Sequence, residues 1–334
     1  MNQSVRLILA VVFAILIPAS SHGQAQTAPR PLKILMIGNS FTGNAVAYLP
    51  RIAEAGGKKL EIFTANPGGC SLEKHAGFLK AYEANPNDPA GSPYSSSFYP
   101  SRNEPKTRKY SLREALESNT WDYVSLQQFS EVSYKAGSYE PYAGILVAYI
   151  HKYAPNARIV IFQTWAYRED YMGFGKDGFT QQKMYDLLTQ NYEKLAADYH
   201  AAIIPVGYAF QNARDTERWH FKYPDPNFNY KNPPEGGIPS QPGSLNAGWG
   251  WYKPPAGGKP SFVLDQKHCN DAGKLLTAAV FYEALFQDDV TKNSFVPPKM
   301  DARDAADLRR IAHESVASYQ PRKPVDQKTA GTGN

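Results

Sequence analysis

Five short apolar runs, alternating with segments of helical period, constrain this chain more than any other feature. They lie at residues 34–37, 60–65, 121–126, 158–163 and 201–206. Continuous apolar runs of this length, rich in Ile, Leu, Val and Phe, read as strands buried on both faces. Helical patterns follow at 40–56, 71–84, 111–117, 142–153 and 181–200, with two more at 271–286 and 302–319. Strand–helix alternation of this kind builds an α/β fold in which helices cover both faces of a parallel sheet. Ser111 followed by Glu114 has the form of a capping box.

Two stretches break the alternation. Residues 85–110 are dense in Asn, Pro, Ser and Tyr and read as a long surface loop, a lid or a rim. Residues 212–260 are dense in Pro, Gly and aromatics and read as an irregular insertion. No internal repeat or linker divides the chain, so residues 32–320 are expected to form one domain carrying that insertion.

Arg6 precedes an apolar run over 7–17, and Pro18-Ala19-Ser20-Ser21-His22-Gly23 supplies small residues. This has the form of a secretory signal peptide over residues 1–23, cut after Gly23 or Ser21. The run is too short for a comfortable membrane span, and no Cys near it offers a lipid attachment point. The expected mature protein is secreted or periplasmic in a bacterium and has no stable membrane anchor. Residues 24–31 and 321–334 are expected to be disordered ends. The formal charge of +5 comes from basic residues interleaved with acids, which points away from a nucleic-acid surface. No CxxC, HExxH or acidic calcium loop occurs, so neither a metal nor a cofactor is expected. The oligomeric state is not readable.

The first apolar run turns abruptly at Gly38-Asn39-Ser40 and leads into a helix. That arrangement lifts Ser40 off the C-terminal edge of a parallel sheet, beside helix-start N–H groups that favour developing negative charge. Ser40 is then either a nucleophile or a helix cap, and as a nucleophile it needs a base. His151 and His200 sit at helix C-termini, where a cation is favourable, and His313 is on the last helix. His75, at the start of a helix, is a weak alternative. His268 stands apart because Asp265 precedes it by three residues. One tight turn can deliver both a base and the carboxylate that orients it. The competing reading makes Asp265 a turn cap and His268 a surface residue.

Taken together, Gly38-Asn39-Ser40-Phe41-Thr42, Gly68-Gly69-Cys70-Ser71-Leu72 and Asp265-Gln266-Lys267-His268 occur in the order of three blocks of the SGNH/GDSL hydrolase superfamily. The chain resembles that family over about residues 32–287. The Gly-Gly-Cys-Ser-Leu-Glu block and the Gln127-Gln128 pair are similar to those of an exported bacterial subgroup. The resemblance implies a three-layer α/β/α sandwich, a flavodoxin-like five-stranded parallel sheet, and ester hydrolysis without a cofactor. Carried over, Ser40 is the nucleophile, His268 the base and then the acid, and Asp265 the orienting carboxylate. The Ser40 N–H is the first oxyanion donor and the Gly69 N–H the second, with Gly68 as alternate. The family's third donor is an Asn in a Gly-x-Asn-Asp block, absent here. Gln128, or Gln127 as alternate, stands in its place; losing such a donor costs about 10²–10³ in rate. Asn39 is placed at the substrate. Cys70 follows one site loop and Cys269 another, so a disulfide is feasible, with two buried free thiols as the alternative.

The 212–260 insertion leads directly into the Asp-x-x-His turn and is expected to overhang the site. Trp249 and Trp251, with Trp165 and Tyr167 after the fourth strand, would form an aromatic wall suited to sugar rings, or else a satellite core. An exported chain with such a wall favours a small-molecule or polysaccharide ester, with carbohydrate O-deacetylation as the leading expectation. A lipid esterase or thioesterase, a sugar O-acyltransferase and a non-catalytic glycan-binding protein are the alternatives.

Overall fold

The computed structural model describes residues 30–321 apart from 106, 223, 224 and 256. The signal peptide, most of the N-terminal segment and nearly all of the C-terminal tail read from the sequence lie outside the described residues.

In chain order the elements begin with β1 (Leu32–Ile37), α1 (Ser40–Val46), α2 (Leu49–Ala55), β2 (Leu60–Ala65) and α3 (Leu72–Ala84). Three short strands follow, β3 (Tyr94–Ser95), β4 (Phe98–Tyr99) and β5 (Lys109–Tyr110), and then α4 (Leu112–Glu117). The chain continues through β6 (Tyr123–Leu126), α5 (Tyr142–Tyr153), β7 (Arg158–Phe162), α6 (Gln181–Asp198), β8 (Ala202–Ile204) and α7 (Val206–Arg214). It closes with β9 (Asn246–Tyr252), β10 (Ser261–Cys269), α8 (Asp271–Phe286) and α9 (Ala302–Ser318).

The main sheet has six strands in the order β4-β2-β1-β6-β7-β8. Its five expected strands pair in parallel in the flavodoxin-like order, with β1 between β2 and β6. Strand β4 is an antiparallel edge on β2, matching Ile62 to Tyr99. The 85–110 stretch is therefore not a plain loop: it supplies β3, β4 and β5, each two residues long.

The central strands are apolar on both sides because helices cover both faces. Ile34, Leu35, Met36, Ile37, Val124, Leu126, Ile161 and Phe162 are fully buried. Helices α1, α2, α7 and α9 pack around α8, while α3, α4 and α5 pack together, giving the three layers. Helix α8 is buried nearly all round and serves as the axis of its layer.

Local chemistry sets the helix starts. Asn39, Ser71, Thr180 and Asn270 each accept a backbone N–H of the first turn. Ser111 and Glu114 form the reciprocal capping box. The helix expected to run on from Ser40 is broken in two, with Pro50 in the first turn of α2, where its missing N–H costs nothing.

The expected irregular insertion contributes one strand, β9, to a second sheet completed by β10 just beyond it. Strands β9 and β10 form an antiparallel pair with Asp265 opposite Gly248 and Cys269 opposite Asn246, and the register shifts between them. Residues 265–269 thus belong to a bulged strand rather than a tight turn. The bulge throws His268 out of the ladder toward the C-terminal edge of the main sheet.

Candidate active site

Strand β1 ends at Gly38, and the chain turns at once into α1. A Cβ on Gly38 would lie 2.4 Å from Thr42 Oγ1 and 2.5 Å from Gln127 Oε1, so any larger residue would have to displace the hydrogen-bonded Thr42–Gln127 pair. The turn presents Ser40 as the first residue of α1. On the other side, β10 brings in Asp265 and His268. His268 Nε2 is 2.8 Å from Ser40 Oγ, and His268 Nδ1 is 2.7 Å from Asp265 Oδ2. Asp265 Oδ1 also accepts the backbone N–H groups of Lys267 at 3.0 Å and His268 at 2.9 Å.

This arrangement has an electrostatic consequence. Burial pushes the Asp265 carboxyl up, but hydrogen bonds from the His268 ring and from the two backbone N–H groups outweigh it and hold the group at about 2. Asp265 therefore remains a carboxylate and fixes the proton of His268 on Nδ1. That leaves Nε2 facing Ser40 as an acceptor.

The bulge is held from several directions. The Trp165 indole N–H donates to the Lys267 carbonyl at 2.9 Å, and Asn246 Nδ2 donates to the same oxygen at 3.1 Å. Asn44, one helical turn beyond Ser40 on α1, accepts the Cys269 N–H at 2.7 Å. Phe41 meets the His268 ring edge-on at 5.6 Å. Behind Phe41 lie Trp165, stacked at 4.2 Å and 3°, and then Phe210, stacked on Trp165 at 4.7 Å. The base thus rests on a column of aromatic rings that reaches into the core.

The Gly68-Gly69 loop lies against the serine turn because Asn39 Nδ2 donates to the Cys70 carbonyl at 3.1 Å. Gly69 has φ +61°, a conformation glycine adopts without strain. Among the described residues, neither the Ser40 N–H nor the Gly69 N–H is taken up by another backbone carbonyl.

The family described as a domain of unknown function, DUF4886, matches residues 33–223. The chain belongs to the DUF4886 family. A solved DUF4886 family protein from Bacteroides uniformis is 27% identical, with a TM-score of 0.67 over 86% of this chain and 96% of that one. A proposed SGNH hydrolase from Slackia heliotrinireducens is 21% identical, with a TM-score of 0.43 over 76% of this chain and 98% of that one. A proposed GDSL-like lipase from Parabacteroides merdae is 13% identical, with a TM-score of 0.43 over 78% and 99%. Likeness at the level of the last two fixes no activity. No curated protein matches the sequence at a significant level. The SGNH/GDSL resemblance of this DUF4886 chain rests instead on its own geometry, in which motif blocks far apart in sequence meet at one sheet edge.

Several expected site residues of the DUF4886 chain turn out to be framework. Asn39 is 1% exposed and caps α1, accepting the Phe41 N–H at 3.2 Å and Gln127 Nε2 at 2.9 Å. It is buried in the turn instead of standing at the surface. Gln127 also bonds Thr42 Oγ1 through Oε1 and donates to the Gln128 carbonyl, so its amide is fully engaged. Gln128 accepts the Leu72 and Phe129 N–H groups and donates to Ser138 O and Oγ. Neither glutamine has an amide N–H left for an oxyanion, because each is used to lock the surrounding loops together.

The aromatic wall is corrected in the same way. Trp165 and Tyr167 are 0% and 1% exposed, and the Tyr167 hydroxyl bonds Ser130 Oγ at 2.9 Å. Trp249 stacks on Phe262 at 4.8 Å, and the Trp251 indole N–H donates to the Gly237 carbonyl at 2.8 Å. With Phe228 and Tyr230 they form a satellite core that stiffens the β9–β10 hairpin. Cys70 and Cys269 are buried free thiols rather than a disulfide. Burial raises both, Cys70 to about 12.

His75, a weak candidate base, is fully buried. Its Nε2 faces the Gly38 carbonyl at 2.8 Å and its Nδ1 the Tyr94 hydroxyl at 2.8 Å. The carbonyl can only accept, so Nε2 carries the proton and the ring is neutral. Burial lowers its pKa to about 4, although the bond to Gly38 works the other way. A folded value below the unfolded one of about 6.5 means full stability above pH 6.5, lost as pH falls toward 4. The loss is on the order of 3 kcal/mol. Urea midpoints at pH 7.5 and 4.5 are expected to differ less for His75→Gln than for the wild type; equal differences would contradict the assignment.

Proposed function

We propose that the chain is a serine ester hydrolase and that it removes acetyl groups from carbohydrate. The Ser40–His268–Asp265 relay, at 2.8 and 2.7 Å, is the observation that carries the reading. Ser40 Oγ attacks the ester carbonyl as His268 Nε2 takes its proton, and Asp265 stabilises the resulting imidazolium. The oxyanion forms beside the Ser40 and Gly69 N–H groups. The intermediate collapses to acyl-Ser40, and the alcohol leaves with the proton from His268. Water, deprotonated by His268, then attacks the acyl-enzyme and releases the carboxylic acid.

Two N–H donors remain once the glutamines are excluded, so oxyanion stabilisation rests on the backbone. The acyl group, the carbohydrate partner and export through residues 1–23 belong to the same proposal. Hydrolysis of p-nitrophenyl acetate tests it. The wild type is expected to be active and Ser40→Ala to fall to background; equal rates in the two proteins, or no activity in either, would overturn it.

A further inference from the structure

A cleft of about 240 Å³ opens beside Gly69, between the start of α3 and the β6–α5 connection. Gln128 and Phe129 form one wall, with the Phe129 ring 3.7 Å from where a Cβ on Gly69 would stand. The wall is rigid: Gln128 ties together the Leu72 N–H, the Phe129 N–H and Ser138. The opposite wall carries Glu73, whose carboxylate accepts the Tyr142 hydroxyl at 2.9 Å, and Lys74, whose ammonium donates to the Gly69 carbonyl at 3.3 Å. These partners leave one Glu73 oxygen and further Lys74 protons free to bond a ligand.

We propose that this cleft is the seat of the leaving alcohol and that it takes a hydroxyl-rich pyranose ring. The inference rests on the ester-hydrolase reading. The volume is far larger than an acetyl group fills and suits a monosaccharide. Among the described residues that line it, Val132 is the one aliphatic side chain, so an extended acyl tail would bury ionised and hydroxyl groups without compensation. A pyranose instead offers hydroxyls to Glu73 and Lys74 and an apolar C–H face to the Phe129 ring. This places the sugar on the α3 side of the oxyanion loop, away from the aromatic cluster of the β9–β10 hairpin.

Two variants test the assignment. Gly137 lines the cleft, and a Cβ there meets nothing within 4 Å, so Gly137→Phe fills the space without breaking a bond. Glu73→Ala removes the polar wall. For each, kcat/KM is measured on a mono-O-acetylated methyl glucopyranoside and on methyl acetate, whose leaving alcohol is too small to fill the cleft. The ratio of the two is expected to fall at least 10-fold in both variants. A ratio within twofold of wild type overturns the subsite alone. A wild type inactive on both esters overturns the subsite together with the hydrolase reading.

Discussion

His268→Ala is expected to lower kcat/KM on p-nitrophenyl acetate by about 10⁶-fold, and Asp265→Asn by about 10⁴-fold. The order follows from the geometry. Removing the imidazole leaves Ser40 without a proton acceptor. Asparagine at 265 keeps the shape, but its carbonyl oxygen is claimed by the Lys267 and His268 N–H groups that Asp265 Oδ1 accepts at 3.0 and 2.9 Å. The amide NH₂ must then face His268 Nδ1, which forces the ring proton onto Nε2 and blocks the base. The reverse order of effects would contradict the roles assigned to the two residues.

Arg168→Met is expected to cost about 3–5 kcal/mol of stability and to lower activity with it. Arg168 is 1% exposed and makes a bidentate pair with Asp170 at 2.7 and 2.8 Å. Its remaining nitrogen bonds Gln241 Oε1 at 2.8 Å and Ser244 Oγ at 3.2 Å, and the guanidinium lies 4.1 Å from the centre of the Phe221 ring. Its own N–H donates to the carbonyl of Gln266, the neighbour of Asp265, whose side chain in turn reaches the Asp170 carbonyl. Arg168 therefore fastens the 212–260 segment through its guanidinium, and the strand carrying Asp265 and His268 through its backbone N–H, to the segment that follows β7. The single variant strands the Asp170 carboxylate, whose side chain is 3% exposed, in the interior. The double variant Arg168→Met/Asp170→Leu is expected to be more stable than Arg168→Met, as read from urea unfolding midpoints. A double variant less stable than the single one would contradict this account.

The sheet was legible because buried parallel strands write themselves as continuous apolar runs. Strand β4 was not, since two residues at an edge carry no period. Strands β9 and β10 were hidden for another reason. Their partners are set by long-range pairing, and Gly248, Gly250 and the Pro-rich flanks resemble loop sequence.

The meeting of Ser40, His268 and Asp265 was legible because the three residue types fall at the ends of recognisable elements in a recognisable order. The role of an amide was not, because it depends on which N–H groups other loops bring to it. Gln128 is a framework residue only because Leu72 and Ser138 lie where they do. Trp165 reads alike as a rim or a core residue until Phe41 and Phe210 are seen on its two faces. Asn44 did carry a signal, since a residue four beyond Ser40 on a helix shares its face. Arg168 carried none, as its partners come from three separate segments.

The most direct test of the account is covalent trapping of the wild-type protein with a fluorophosphonate, followed by peptide mass mapping. The account predicts a single adduct on the peptide containing Ser40, absent from Ser40→Ala and greatly slowed in His268→Ala. An adduct on another residue, or equal labelling of wild type and His268→Ala, would contradict it.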